Sequence, residues 1–246
     1  MSLDAYARAR TLIDEAHKRD PLYGESQSKD SSQSSSQTDG GEGGGLEQDE
    51  MAYADAVESW AMRLISMHSG QEGELLASIP SSSSREAKLE LVRLGARCQH
   101  LERFLTPRSS YPEGKAGYLR WRRDLYGIQA DRAKELLVQA GVAADEAECV
   151  RRWVSKTDLK PGKAEGDRGT QLLEDAAVVV FLEDQLGHFA AKHRATHGEK
   201  FVDILRKTWR KLSPLGKEAA AGLNMGEDLS PLIAEATKSK AGEPEA

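Results

Sequence analysis

The chain has 246 residues, of which 39% are apolar, 6% aromatic and 30% charged, with a net charge of −6. This length is enough for one large domain or two small ones with a sizeable core. The longest apolar run, Ala176 to Leu182, has seven residues, far short of the roughly 20 that a membrane span needs. The two cysteines, Cys98 and Cys149, exclude a disulfide framework and a four-cysteine zinc site.

The first residues of the chain indicate the cellular compartment of the protein. The first residues include Asp4, Asp14 and Glu15 and lack an apolar segment, which predicts neither a secretion signal nor a transit peptide. We therefore expect a cytoplasmic protein, with the nucleus as an alternative.

Helical periodicity runs through most of the chain and predicts an all-α protein built as a single helical bundle. In chain order, the apolar spacing and the Pro and Gly positions predict helices at about 3–17, 49–68, 85–104, 124–140, 145–156, 170–193, 201–211 and 214–223, with a short helical turn at 117–123 and a weak helix near Leu229. Gly141 follows the helix at 124–140 and is a predicted left-handed C-cap.

An acidic stretch rich in Ser and Gly interrupts this pattern. Residues 24–45 contain no apolar residue, so they cannot bury enough surface to offset the entropy of ordering, and we expect them to be disordered. We predict one domain with an N-terminal helix in 1–23, a disordered linker at 24–48, the main helical part at 49–226 and a weak helix with a flexible tail at 227–246.

The charges are distributed unevenly. Residues 24–50 contain seven acidic residues and one lysine, so they carry the whole net charge. Residues 85–123, in contrast, contain ten basic and four acidic residues. These bases are either solvated helix faces or an anion-binding site.

His100 is a candidate catalytic residue or metal ligand. On a helix over 85–104 it would share a face with Arg93, Arg97 and Arg103. Three neighbouring cations would keep the imidazole neutral, as a metal ligand or general base requires. The alternative is a histidine that is hydrogen-bonded between packed helices.

The segment 106–123 combines arginines with aromatic residues. Guanidinium groups bind phosphate through two hydrogen bonds, and aromatic rings stack on bases or sugars. The candidate ligand-binding residues are Arg103, Arg108, Tyr111, Trp121 and Arg122, with Lys156 and Lys160 as further anion ligands. The alternative is a structural loop whose aromatic rings fill the core and whose arginines cap helices.

Glu174 and Asp175 directly precede the apolar run. Adjacent helical residues point about 100° apart, so we expect only one of them to face inward, towards a metal ion or an arginine. The alternative is that both acids stabilise the first turn of the helix.

Four segments together resemble a known family: GARCQHLERFLTPRSSYPEGKAGYLRWR, WVSKTDLK, QLLEDAAVVVFLEDQL and ILRKTWRKLSPLGKEAA. They are similar to domain of unknown function 4202, and the resemblance extends from Leu3 to about Leu223. The helix order is also similar to that of HD-type metal-dependent phosphohydrolases. That similarity implies a metal held by His100 with Glu174 or Asp175, although Leu101 occupies the place of the usual aspartate and Gln129 that of a frequent histidine.

Three functions follow as expectations. The first is hydrolysis of a small phosphorylated, nucleotide-like compound, in which His100 and Asp175 bind a divalent Mn, Fe, Ni or Zn ion. The second is a binding module without catalysis, for a nucleotide, another anion or an RNA end. The third is a helical interaction scaffold. No membrane partner is expected.

Overall fold

The computed structural model describes residues 3–24, 49–67, 69–79, 84–161, 163, 165–193, 198–224 and 233–234. Over these residues the chain is all-α, as predicted, and contains no strand. The ten α-helices of this part are α1 (Leu3–His17), α2 (Glu50–Met67), α3 (Ser69–Ser78), α4 (Arg85–Arg97), α5 (Gly114–Gln139), α6 (Ala144–Val154), α7 (Arg168–Val180), α8 (Leu186–His193), α9 (Gly198–Trp209) and α10 (Pro214–Ala221).

Local signals fix several helix ends. The side chains of Ser84, Asp167 and Ser213 accept hydrogen bonds from backbone N–H groups in the first turns of α4, α7 and α10. Gly141 ends α5 in the left-handed region, with φ of 88°. The N–H groups of Gly141 and Val142 donate to the carbonyls of Val138 and Leu137, so the predicted C-cap is confirmed.

The core lies around α7, whose residues are buried on nearly all sides. Helix α2 packs along α7 and α4, while α5 packs against α6. Trp153 of α6 lies at the centre, so close to Gly95 and Gly169 that a β-carbon at either position would approach its ring to 2.9 or 2.2 Å. Apolar residues of α1 belong to the same core.

The helix predicted over 85–104 is wrong at its C-terminal end, because α4 stops at Arg97. His17 Nε2 donates to the Arg97 carbonyl over 2.8 Å, and the Phe104 N–H donates to Glu50 Oε1 over 3.0 Å. His100 and Glu102 adopt left-handed φ values of 62° and 51°. Side chains of distant elements therefore redirect the chain into two 3₁₀ turns, Arg103–Leu105 and Arg108–Ser110.

Three other boundaries differ from prediction. The turn at 117–123 and the helix at 124–140 form the continuous α5, and α3 was not predicted. The helix predicted over 170–193 contains a π-helical stretch, Phe181–Gln185, between α7 and α8. The predicted linker beyond Gly24 and nearly all of the predicted tail lie outside the described residues.

A search of the described residues finds no helix with both the length and the apolar character of a membrane span.

Candidate functional site

His100 lies where the chain leaves α4, and its ring packs face to face on Tyr53 of α2. The ring centroids are 4.2 Å apart and the planes differ by 10°. The left-handed backbone at His100 turns the side chain towards α2 and away from the face it would occupy if α4 continued. The early end of α4 thus determines the surroundings of His100, which the sequence analysis placed on a helix that continues to residue 104.

The proton on His100 can be assigned from its neighbours. Arg103 Nη1 lies 3.3 Å from His100 Nε2, and a guanidinium only donates hydrogen bonds, so Nε2 accepts. Burial, followed by Arg103, Arg122 and Lys156, holds the pKa of His100 well below its usual range. The ring is therefore neutral with its proton on Nδ1, a buried atom that has no hydrogen-bond partner among the described residues.

The neutral state of His100 agrees with the prediction, but the cations that lower its pKa differ from those predicted. Of the three predicted neighbours only Arg103 contributes. Arg93 and Arg97 instead bind Glu58 of α2, with N···O distances of 3.2 and 2.9 Å.

Arg103 and Arg122 form a pair of half-buried guanidinium groups. Arg103 lies over the Trp121 ring at 5.0 Å, and Arg122 lies over the Tyr126 ring at 5.1 Å and donates to its hydroxyl. Burial and the proximity of Arg122 lower the pKa of Arg103. Within the described part of the chain, neither guanidinium is ion-paired with a carboxylate.

Glu174 joins two lysines beside this pair. Its carboxylate lies 2.9 Å from Lys156 Nζ and 3.2 Å from Lys211 Nζ. Burial would raise its pKa, but the two lysines outweigh burial and lower it to about 2. Lys156 also donates to Gln99 Oε1 over 2.9 Å and sits in a left-handed turn with φ of 60°.

These residues form a set that we call the His100 cluster: Tyr53, His100, Arg103, Arg122, Lys156, Glu174 and Lys211. The charged members influence His100 or Tyr53 electrostatically or bind Glu174 directly. Four cationic side chains thus surround a single carboxylate and a neutral imidazole. The cluster carries an excess of positive charge, on groups that are half-buried in the case of Arg103 and Arg122 and 44% exposed in the case of Lys211.

Asp175 has a different environment from Glu174. Its carboxylate accepts hydrogen bonds from the Ser213 N–H (2.8 Å), the Ser213 hydroxyl (2.5 Å) and Gln171 Nε2 (2.9 Å). Gly216 fits against it only because it lacks a β-carbon, which would lie 2.6 Å from Oδ1. Burial raises the pKa of Asp175 to about 6. Asp175 therefore joins α7 to the start of α10. Both acids are buried, contrary to the expectation that only one would face inward.

The predicted metal ligands do not fit a shared metal ion. No group of three or more His, Cys, Asp or Glu side chains among the described residues is placed to hold one. His100 faces a guanidinium, Glu174 faces two lysines and Asp175 faces Ser213. A metal centre at these residues stays a prediction from the sequence without support from their contacts.

The other predicted ligand residues are divided between the cluster and the scaffold. Arg108 donates to the carbonyls of Tyr111, Pro112 and Gly114 and so holds the loop together. Trp121 is buried and donates to the Thr106 carbonyl over 2.9 Å. Lys160 is exposed and lies 3.7 Å from Asp158. These contacts match the structural alternative for Arg108 and Trp121. Tyr111 takes part through its backbone carbonyl, which accepts a hydrogen bond from Arg108.

Sequence reasoning missed Tyr53, Tyr126 and Lys211. Tyr53 lies on the buried face of α2, where helical spacing indicates only a core residue. Lys211 lies 37 positions after Glu174, and no local pattern links the two. Tyr126 lies four residues after Arg122, a spacing that places both on one helix face and offered a usable signal.

Comparisons with known proteins identify the family. A family model described as a domain of unknown function (DUF4202) matches residues 7–233. No curated protein and no solved structure matches the chain. The similarity to HD-type phosphohydrolases stays a prediction.

Proposed function

The chain belongs to the DUF4202 family, and because that description names no activity, we propose from the site itself that the protein binds a small phosphorylated compound at the His100 cluster. The observation that carries this proposal is the half-buried pair Arg103 and Arg122, which has no carboxylate partner among the described residues.

Desolvation of a charge without a counter-ion costs up to several kcal/mol when the ion is fully buried, and a smaller amount for half-buried groups such as Arg103 and Arg122. Arg97 illustrates the usual solution, since three carboxylates surround it. Among the residues that the structure describes, the direct partners of Arg103 and Arg122 are aromatic rings, a hydroxyl and a neutral imidazole. An anion between them would offset this cost, and a phosphate group matches the geometry of two guanidinium forks.

The position of Lys156 favours the same ligand. Its Nζ contacts both Gln99 and Glu174, and these two contacts fix its position. A phosphate at the arginine pair would therefore meet a third, pre-organised cation. Tyr111, half-buried in the loop that Arg108 holds, is the remaining predicted ring for the nucleotide-like part of the ligand.

The proposal is tested by titration calorimetry with inorganic phosphate and AMP, using a matched pair of variants. Arg122→Gln removes a guanidinium of the cluster, whereas Arg123→Gln removes the neighbouring one, whose side chain is 78% exposed. We expect saturable binding by the wild type and an affinity lower by about tenfold or more in Arg122→Gln, since a charge-assisted hydrogen bond contributes about 1.5–3 kcal/mol. Arg123→Gln should keep its affinity within about twofold.

Two outcomes contradict the proposal. The first is no saturable binding of either probe, or an equal loss in both variants. The second is binding of a 5′-phosphorylated single-stranded RNA, with an affinity that falls steeply with salt, by a protein that does not bind AMP. That result would make the RNA end the ligand.

The predicted phosphohydrolase activity is tested on the same preparations. Release of inorganic phosphate from AMP is measured with added Mn²⁺ and with a chelator. Metal-dependent release that is lost in His100→Ala would support the metal centre predicted from the sequence, and stoichiometric metal in the purified protein would contradict the proton assignment on His100.

A further inference from the structure

The buried proton of His100 indicates which form of phosphate the site accepts. Nε2 already accepts from Arg103, so the neutral ring presents an N–H at Nδ1, which is buried and has no partner in the described residues. A buried donor without an acceptor costs about 1–3 kcal/mol. A ligand with an acceptor oxygen at this position would satisfy the donor.

The other proposed phosphate-binding groups of the cluster also donate, and its carboxylate, Glu174, is already paired with two lysines. Arg103, Arg122 and Lys156 carry only N–H groups and no acceptor atom. A fully deprotonated phosphate oxygen accepts from all of them, whereas a protonated phosphate oxygen would place its O–H against another donor. The hydrogen-bonding character of the cluster thus disfavours a protonated ligand.

The charge balance points in the same direction. Arg103, Arg122, Lys156 and Lys211 are four cations, and Glu174 is their one carboxylate within the cluster. A doubly charged ligand leaves less uncompensated positive charge than a singly charged one. In a site of low dielectric constant this difference is larger than it would be in water.

We infer, on the basis of the proposed function, that the ligand is a phosphate monoester bound as its dianion, with His100 Nδ1–H donating to one of its oxygens. Phosphate diesters, which carry a single charge, are excluded as good ligands.

Each element packed around the site contributes charged or titratable groups. They are His17 of α1, Glu50 and Tyr53 of α2, Arg103 of the 3₁₀ turn, Tyr118, Arg122 and Tyr126 of α5, Lys156 after α6, Glu174 and Asp175 of α7, and Lys211 after α9. Burial raises the pKa of Asp175 to about 6, so the experiment needs a control for titration of the protein itself.

The test compares three small anions by calorimetry at pH 5 and pH 7. Methyl phosphate, like other phosphate monoesters, has a second pKa near 6, so its dianion rises from about a tenth to about nine tenths of the total. Inorganic sulfate is a dianion and dimethyl phosphate a monoanion at both pH values. We expect methyl phosphate to gain about tenfold in affinity relative to sulfate between pH 5 and pH 7. Any effect of Asp175 or another protein group changes both dianions and cancels in this ratio.

The possible results separate the inference from the proposed function. If neither methyl phosphate nor sulfate binds, the proposed function fails and the inference fails with it. If both bind but their affinity ratio does not change with pH, or if dimethyl phosphate binds as tightly as methyl phosphate, the inference is overturned and the anion site remains.

A pair of His100 variants tests the donor role. Asn tolerates the left-handed backbone and has an amide N–H near the position of Nδ1, so His100→Asn should keep the affinity for methyl phosphate at pH 7 within a few fold. His100→Ala has no donor and should lose about tenfold or more. Circular dichroism confirms folding of both. Equal affinities of the two variants would contradict the role of Nδ1.

Discussion

The protein contains two regions of arginine, one buried and one half-buried, that differ in their counter-ions. Arg97 is 2% exposed, and it binds Asp14, Asp55 and Glu58 with N···O distances of 2.5, 2.6 and 2.9 Å. Arg103 follows Arg97 by six positions, and Arg122 lies on α5. In the described part of the chain, none of the direct partners of these two arginines is a carboxylate. The first region is electrostatically complete without a ligand, and the second is not.

This difference separates a structural role from a binding role. The network of Arg97 joins α1, α2 and α4 and so helps to hold the N-terminal helix in the domain. In the described part of the chain, the opposite-charge contacts of the His100 cluster are those of Glu174 with Lys156 and Lys211. We propose that a ligand neutralises the cationic excess of this cluster, whereas the charge of Arg97 is already neutralised by carboxylates.

The largest expected effect of a substitution is therefore on stability, at Arg97. Arg97→Met leaves three carboxylates without their common cation and should lower the free energy of unfolding by about 3–5 kcal/mol. Arg103→Met removes a half-buried charge that lacks a counter-ion, so it should leave the free energy of unfolding unchanged or raise it, while phosphate affinity falls by about tenfold or more. Urea unfolding and calorimetry measure the two quantities. Equal destabilisation by both variants would show that Arg103 is paired as Arg97 is.

The next effect is a pH dependence that distinguishes the adjacent acids Glu174 and Asp175. The lysines lower the pKa of Glu174 from 4.5 to about 2, so its stabilisation is full above pH 4.5 and is lost as the pH falls through about 2. Burial raises the pKa of Asp175 from 3.8 to about 6, so protonated Asp175 favours the fold below pH 3.8, and this contribution is lost as the pH rises through about 6.

Each pKa difference of about two units corresponds to up to about 3 kcal/mol. Urea unfolding between pH 2.5 and pH 7 should show that Glu174→Gln removes the rise in stability on the acidic side. Asp175→Asn should remove the decline between pH 4 and pH 6. A wild-type profile that neither variant alters would contradict both assignments.

The smallest effect is expected at Lys160, one of the predicted ligand residues. It is exposed and has only a distant contact with Asp158, so Lys160→Ala should change the free energy of unfolding by less than about 0.5 kcal/mol and leave phosphate affinity within about twofold. Lys156→Ala is the matched comparison and should lose about tenfold in affinity. A loss of similar size at Lys160 would extend the site to the loop after α6.

The sequence predicted some members of the cluster and assigned others wrongly, for an identifiable reason. Composition and spacing pointed to His100, Arg103, Arg122, Lys156 and Glu174 because each carries a chemistry suited to anions or metals. Arg108 and Trp121 have the same chemistry, but their groups are used by the backbone of the loop. Residue type states what a side chain can bind, and only its neighbours decide whether it is free to do so.

By itself, the sequence determined the helical class and most helix positions, because apolar periodicity and capping residues are local properties that act within one or two turns. The early end of α4, the left-handed backbone at His100 and the opposite surroundings of Glu174 and Asp175 were decided by tertiary structure. His17, Glu50, Lys211 and Ser213 produce these features from positions distant in the chain. Such contacts depend on which surfaces the packed helices bring together, and that arrangement is set by burial over the whole core.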